Sequence, residues 1–204
     1  MSIQIRKVSS KKELKTFVRF ANRLYKGNKY YVPSMPMDDM NTFTPEKNGA
    51  FDFSEAELYL AYKGDEVVGR VAAIINHKAN EAWKVKQVRF GWIDFIDDLE
   101  VSKALLDAVV AFGKARGMEQ IVGPLGFTDF DPEGMLVEGF DRLSTMALIY
   151  NHPYYPEHMK KHGYTKETGW VEYRITIPAE MPENHIRFSE IIKERYGLKT
   201  RKLS

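Results

Sequence analysis

The 204 residues include no cysteine. That excludes disulfide scaffolds, thiolate-held metals and cysteine nucleophiles, and it accords with the reducing cytoplasm, the compartment expected here. An excess of one charge is missing too. Lys and Arg total 30 against 28 Asp and Glu, a net charge of +2, without the basic surplus usual in a dedicated nucleic-acid binder. Long apolar runs are also absent. Val67 to Ile75 is interrupted by Gly69 and Arg70, far short of the roughly 20 residues that cross a bilayer. Met1 to Ser10 is polar and has no leader-like apolar stretch, so no secretory signal is expected. Neither a nucleic acid nor a membrane is an expected partner. What remains, 44% hydrophobic, 13% aromatic and 28% charged residues, suits one ordinary globular domain.

Periodicity supplies the elements. Ile3 to Val8 alternates as a strand. Ser10 and Glu13 fit a capping box, followed by Leu14, Phe17, Val18, Ala21, Leu24 and Tyr25 at helical spacing. Asn28 to Ser54, rich in Pro, Met, Asn and Asp, reads as a long loop with one or two helical turns. Glu57 to Lys63 and Val67 to Ile75 flank a Lys-Gly-Asp-Glu turn and form a hairpin. Lys86 to Ile96 is a further strand. Glu100 to Arg116 is the strongest helix, with Val101, Ala104, Leu105, Ala108, Val109 and Phe112 on one face and Gly117 as its stop. A short strand over Glu119 to Val122, a helix over Pro156 to His162, a strand over Trp170 to Ile177 and a helix over Asn184 to Tyr196 complete the order. Leu198 to Leu203 reads as an extended basic tail. This order predicts an α/β fold: a mixed, mostly antiparallel sheet with helices on both faces.

Some residues do not fit a simple core pattern. Asp94 interrupts an apolar strand between Trp92 and Phe95. If buried, it is either a general base with a raised pKa or a partner to Lys or Arg. Gly91, in mid-strand, signals a bulge or a close approach by another backbone. Asp129-Phe130-Asp131 superficially opens a calcium loop, but position twelve is Phe140 rather than a bidentate Glu. Of the five histidines, His158 and His162 alone stand at i, i+4, and they read as a solvated helix face. No metal site is expected.

Gly123-Pro124-Leu125-Gly126-Phe127, the segment Glu133 to Asp141, and Asn151-His152-Pro153-Tyr154-Tyr155 carry a family resemblance, as does the element order. The chain resembles the GNAT-type N-acetyltransferase superfamily, and more narrowly an uncharacterised bacterial family of GNAT-like proteins. The resemblance implies a single GNAT-like domain over 1–178, followed at 179–204 by a helix and extended tail that either open a second lobe or form a packing arm. It implies acyl transfer from acetyl-CoA or another acyl-CoA to a small-molecule amine or peptide, with a second GNAT-like lobe or a homodimer as partner. The other class left open is a catalytically silent GNAT-fold domain used for ligand binding or protein interaction. Under the resemblance, Asp94 and Tyr155 are the catalytic base and acid. Phe95, Ile96 and Asn151 line the cofactor side, and Asp129, Asp131 and Tyr154 face the substrate. Two departures stand beside it. Where the superfamily grips the coenzyme A diphosphate with glycines, this chain reads Ile96-Asp97-Asp98-Leu99-Glu100, with Asp97 and Glu100 as an expected capping box. Met159 stands four residues before Gly163, where many members place a tyrosine acid.

Overall fold

The computed structural model describes residues 2–143 and 149–202. Leu203, the end of the expected tail, lies outside them. The chain divides into two compact units, residues 1–165 and 166–204, so the division precedes the expected boundary at 178.

In the first unit, strands β1 (Ile3–Lys7), β2 (Ser54–Lys63), β3 (Glu66–Asn76), β4 (Gln87–Phe95) and β5 (Gln120–Val122) form one sheet in sequence order. The first three pairings are antiparallel, and β4 with β5 is parallel. Helix α1 (Lys11–Leu24) starts in the expected capping box of Ser10 and Glu13 and buries Phe17, Val18, Phe20 and Ala21. The long loop contains α2 (Pro36–Thr42) and two 3-10 turns. A short α3 (His77–Trp83), not anticipated from periodicity, is capped by Asn76 and ends at Lys84 in the left-handed region.

Helix α4 (Leu99–Lys114) buries Val101, Leu105, Val109 and Phe112, worth about 1.5–3 kcal/mol for each large side chain. These residues share a core with Val71, Ala73, Ile75, Phe90, Ile93 and Phe95 of the sheet and with Tyr155 and Met159 of α5 (Tyr154–Lys161). A second core joins Phe17, Val18 and Phe20 of α1 to Phe43, Leu60, Ala72, Ile74, Trp92 and Phe127. The sheet is therefore covered by apolar cores on both faces.

One irregularity decides what β4 presents. Arg70 pairs with Asp94, but Ala72, two residues on, pairs with Gly91, three residues back. The extra residue is a β-bulge, and Trp92 within it has φ +44°. Val88 and Phe90 face the α4 core; beyond the bulge Ile93 and Phe95 do so, while Trp92 turns to the α1 core. The slip puts Asp94 on the α1 side. Both readings of Gly91 hold, because a Cβ there would lie 2.5 Å from the Leu125 carbonyl oxygen.

The second unit contains α6 (Glu183–Tyr196), which ends at Gly197 with φ +62°. The expected strand over Trp170 to Ile177 is not formed. Alternation alone does not make a strand, because each backbone group also needs a ladder partner, and the described residues supply none. Among the described residues no helix is long and apolar enough to cross a membrane.

Candidate functional site

β5 accompanies β4 only as far as the pair Arg89 and Val122. One further bond, from Leu125 N–H to the Phe90 carbonyl at 2.9 Å, continues the contact. Beyond it no ladder pair joins the two segments, and the end of β4 must find other partners. Adjacent tyrosines at the start of α5 supply them. Tyr155 Oη accepts the Phe95 N–H at 3.0 Å, and Tyr154 Oη donates to the Phe95 carbonyl at 2.6 Å. The Tyr155 ring stacks on Phe95 with centroids 4.2 Å apart.

Tyr155 thereby reaches Asp94, the pair singled out from sequence. Tyr155 Oη lies 3.2 Å from Asp94 Oδ1 and 2.8 Å from Tyr25 Oη, which is itself 2.8 Å from Asp94 Oδ1. Each hydroxyl has one proton to donate. The two shorter contacts are both used when Tyr155 donates to Tyr25 and Tyr25 to Asp94. With the Phe95 amide at its head, the result is a directed chain of hydrogen bonds ending on the carboxylate. Arg70 Nε and Nη2 meet Asp94 Oδ2 at 2.8 and 2.7 Å, while its Nη1 donates to the Phe17 and Val18 carbonyls. Asp94 thus takes the ion-pair alternative left open by the sequence. Burial pushes the Tyr25 and Tyr155 hydroxyls far above the ordinary tyrosine range, with the Asp94 charge adding to it. Both remain neutral donors. Asp94 is 7% and Tyr155 1% exposed, so this chain forms the packed floor of the site.

Above the floor lies a wall of partly exposed rings. Tyr31 and Tyr150 have centroids 4.6 and 5.7 Å from Tyr25. His152 lies 4.8 Å from Tyr25 and stacks on Tyr154 at 5.3 Å. Tyr150 Oη accepts from Asn28 and donates to the Phe140 carbonyl, tying two loops together. Burial lowers the His152 pKa, against the raising influence of Asp94 and Asp97. The imidazole is therefore neutral at pH 7.

The three residues expected on the cofactor side have their polar groups engaged internally. Phe95 is held by the tyrosines as described. Ile96 N–H donates to the Val68 carbonyl, and the Ile96 carbonyl accepts from Asp98. Asn151, 2% exposed, clamps both backbone groups of Leu136, with bonds of 2.6 and 3.1 Å. Of the expected substrate residues, Tyr154 belongs to the wall. Asp131 Oδ2 accepts from the Thr128 N–H at 2.9 Å, and Asp129 is exposed. No hydrogen bond among the described residues links either aspartate to the Asp94 chain. Buried Arg89 holds their loop, donating to the Gly126 and Phe127 carbonyls at 3.0 and 3.2 Å.

Two sequence expectations near α4 are corrected. Its N-cap is Asp98, whose side chain accepts from Glu100 N–H, rather than Asp97. Lys63 bonds the Asp98 carboxyl and holds its pKa below the usual range. The helix face bearing His158 and His162 is only partly solvated. His158, 3% exposed, bridges Asp97 Oδ1 at 3.0 Å and Ser102 Oγ at 2.9 Å, and Ser102 Oγ also meets His162 Nε2 at 2.8 Å. This joint pins α5 to the first turn of α4, and a hydroxyl that donates and accepts lets the two imidazoles share it. Among the described residues no group of three or more His, Cys, Asp or Glu side chains could hold a metal.

Tyr25, Arg70 and His152 went unselected in the sequence. Arg70 had a signal: it is a cation breaking one apolar strand, as Asp94 is an anion breaking the next.

No known family profile matches the chain. It is 31% identical over 162 residues to protein YghO of Escherichia coli, covering 79% of this chain and 41% of that protein. It is 28% identical over 177 residues to a bacterial ceramide synthase of Caulobacter vibrioides, covering 86% of this chain and 46% of that one. The chain thus spans less than half the length of these curated relatives. Among solved structures, a tandem GNAT protein from the clavulanic acid biosynthesis pathway aligns with TM-score 0.52 and 10% identity, over 79% of this chain and 43% of that one. AAC(6')-Iy, in complex with the bisubstrate analogue CoA-S-monomethyl-acetylneamine, aligns with TM-score 0.50 and 15% identity, over 87% of this chain and 100% of that one. At such identities the likeness shows the fold: the chain has the fold of GNAT acetyltransferases, as its sequence pattern suggested.

Proposed function

We propose that this chain is a GNAT-fold lobe of an acyl-CoA-dependent N-acyltransferase, active on a small-molecule amine. The observation that carries the reading is the end of the β4–β5 ladder at Arg89 and Val122, with a buried hydrogen-bond chain beyond it and the partly exposed His152 ring beside that chain. The reaction forms a C–N bond and breaks the thioester C–S bond. An alkylammonium loses two protons on the way to the amide, one ending on the departing sulfur and the other in solvent. In this reading the buried Tyr155 hydroxyl, whose one proton goes to Tyr25, holds the floor in place and does not itself protonate the departing sulfur. Asp94, fixed by Arg70, orients Tyr25 and Tyr155 instead of leaving its place to act as a free base. An attacking amine also agrees with a relative named as a ceramide synthase, since a ceramide is an amide of a long-chain amino alcohol. The rest of a longer protein, or a second copy of the chain, would supply the other lobe.

The α4 N-terminus does not fit a diphosphate. Asp98 already caps its Glu100 N–H, and Asp97 adds a second carboxylate beside it. The reading therefore places no phosphate there. That same observation favours a second reading, in which this lobe is catalytically silent and serves binding. Calorimetric titration with acetyl-CoA separates them. Saturable binding supports the enzyme, and no heat up to millimolar ligand removes that role from this lobe.

A further inference from the structure

We propose that Tyr31, Tyr150, His152 and Tyr154 form the subsite for the ammonium head of the acceptor, and that His152 takes its proton. This rests on the acyltransferase reading for its reaction, while the subsite itself rests on the geometry below.

Three partly exposed rings border the buried Tyr25 ring that carries the hydroxyl bonded to Asp94, and a fourth, Tyr154, stacks on one of them. Tyr31, Tyr150 and His152 all contact Tyr25, Tyr31 also faces Tyr150 with centroids 6.4 Å apart, and His152 lies against Tyr154. Ring faces attract organic cations, most strongly where water is partly excluded. Anionic groups back the wall from two further elements: Asp94 of β4, with Arg70 of β3 behind it, and Asp97 ahead of α4. Tyr25 just past the end of α1, Tyr31 of the next loop and Tyr154 of α5 are titratable groups near the imidazole, and burial raises all three so that they stay neutral at pH 7.

Proton transfer needs an available lone pair near the guest. Asp94 is buried beneath Tyr25 and engaged by Arg70, whereas His152 is half-buried and neutral. An alkylammonium delivering one N–H proton to an imidazole nitrogen becomes the free amine, whose lone pair can then attack a carbonyl carbon. The imidazolium returns the proton to solvent or to the departing sulfur. The guest these groups fit is a primary ammonium, and n-octylamine serves as its probe.

The test uses the 204-residue chain with 13C-labelled histidine, His152 being assigned from the His152→Gln variant. n-Octylamine should shift the His152 Cε1–H signal saturably, and n-octanol should not. Tyr31→Leu and Tyr150→Leu, each leaving Tyr25 and Asp94 in place, should weaken octylamine about fivefold or more. Equal shifts with octanol, or an unmoved His152 signal, would overturn the subsite. Acetyl-CoA titration is scored separately. Octylamine binding without acetyl-CoA binding keeps the subsite and removes the acyltransferase reading; acyl transfer without a His152 response does the reverse.

Discussion

Replacing Asp94 by Asn tests the floor of the site without changing its shape. The new side chain can still accept from Tyr25, but its amide then turns a donor toward the Arg70 guanidinium, itself 5% exposed. Breaking a buried pair in this way costs about 3–5 kcal/mol, because one charge stays buried without its counter-charge. Domains of this size are stable by roughly 5–15 kcal/mol in total, so about a fifth or more of the stability is at stake. At about 2–4 °C per kcal/mol, the melting temperature should fall by roughly 10 °C. Urea unfolding followed by tryptophan fluorescence suits the measurement, because Trp92 is buried in the adjoining core while Trp83 and Trp170 are exposed. The double variant Arg70→Met with Asp94→Leu should recover much of the loss, since apolar replacement of a buried pair is often near neutral. A loss below about 1 kcal/mol for Asp94→Asn, or a double variant as unstable as the sum of its singles, would refute the account of this pair.

Three further outcomes follow from the same geometry. Gly91→Ala should destabilise by about 1–3 kcal/mol in urea, because the new Cβ meets the Leu125 carbonyl oxygen at 2.5 Å; an unchanged midpoint would mean that the two segments do not approach. Asn151→Ala leaves both backbone groups of Leu136 unpaired and should cost about 1–3 kcal/mol, with faster proteolysis of the 135–143 segment as its local sign. His152 and His162 both have pKa values lowered by burial. Below the ordinary histidine value of 6.5 the unfolded chain therefore binds more protons than the folded one. Their contribution is complete above that pH and is lost as pH falls through the folded values; stability that rose between pH 6.5 and 5.5 in the wild type relative to His152→Gln would contradict this sign.

How much of this was legible beforehand depended on sequence distance. The capping box at Ser10 and Glu13, the α4 stripe and the Gly91 constraint are local or leave a local mark, and each appears where the pattern put it. Asp94 and Tyr155 lie 61 residues apart, and their meeting was suggested by element order together with the family resemblance. The bulge at Trp92 was foreshadowed by Gly91, but its consequence was not, since a one-residue slip reverses which side chains face which core. Spacing could not reveal that Tyr25 and Arg70 share the carboxylate, because nothing in a helical stripe tells a buried phenol from a buried phenylalanine. His158 was misread for a similar reason. Its neighbours Lys160 and Lys161 suggest solvent, while the partner that buries it, Ser102, is on another helix. The strand expected over Trp170 to Ile177 shows the opposite limit: alternation from Val171 to Ile177 without a ladder partner among the described residues.

The most direct test of the central claim is thiol release by the 204-residue chain supplied with acetyl-CoA and n-octylamine, followed with a thiol-reactive dye. The account predicts amine-dependent release of free coenzyme A that falls about a hundredfold in His152→Gln, within the range expected for losing a general base. Release no faster than in the absence of protein, at millimolar concentrations of both substrates, would contradict it.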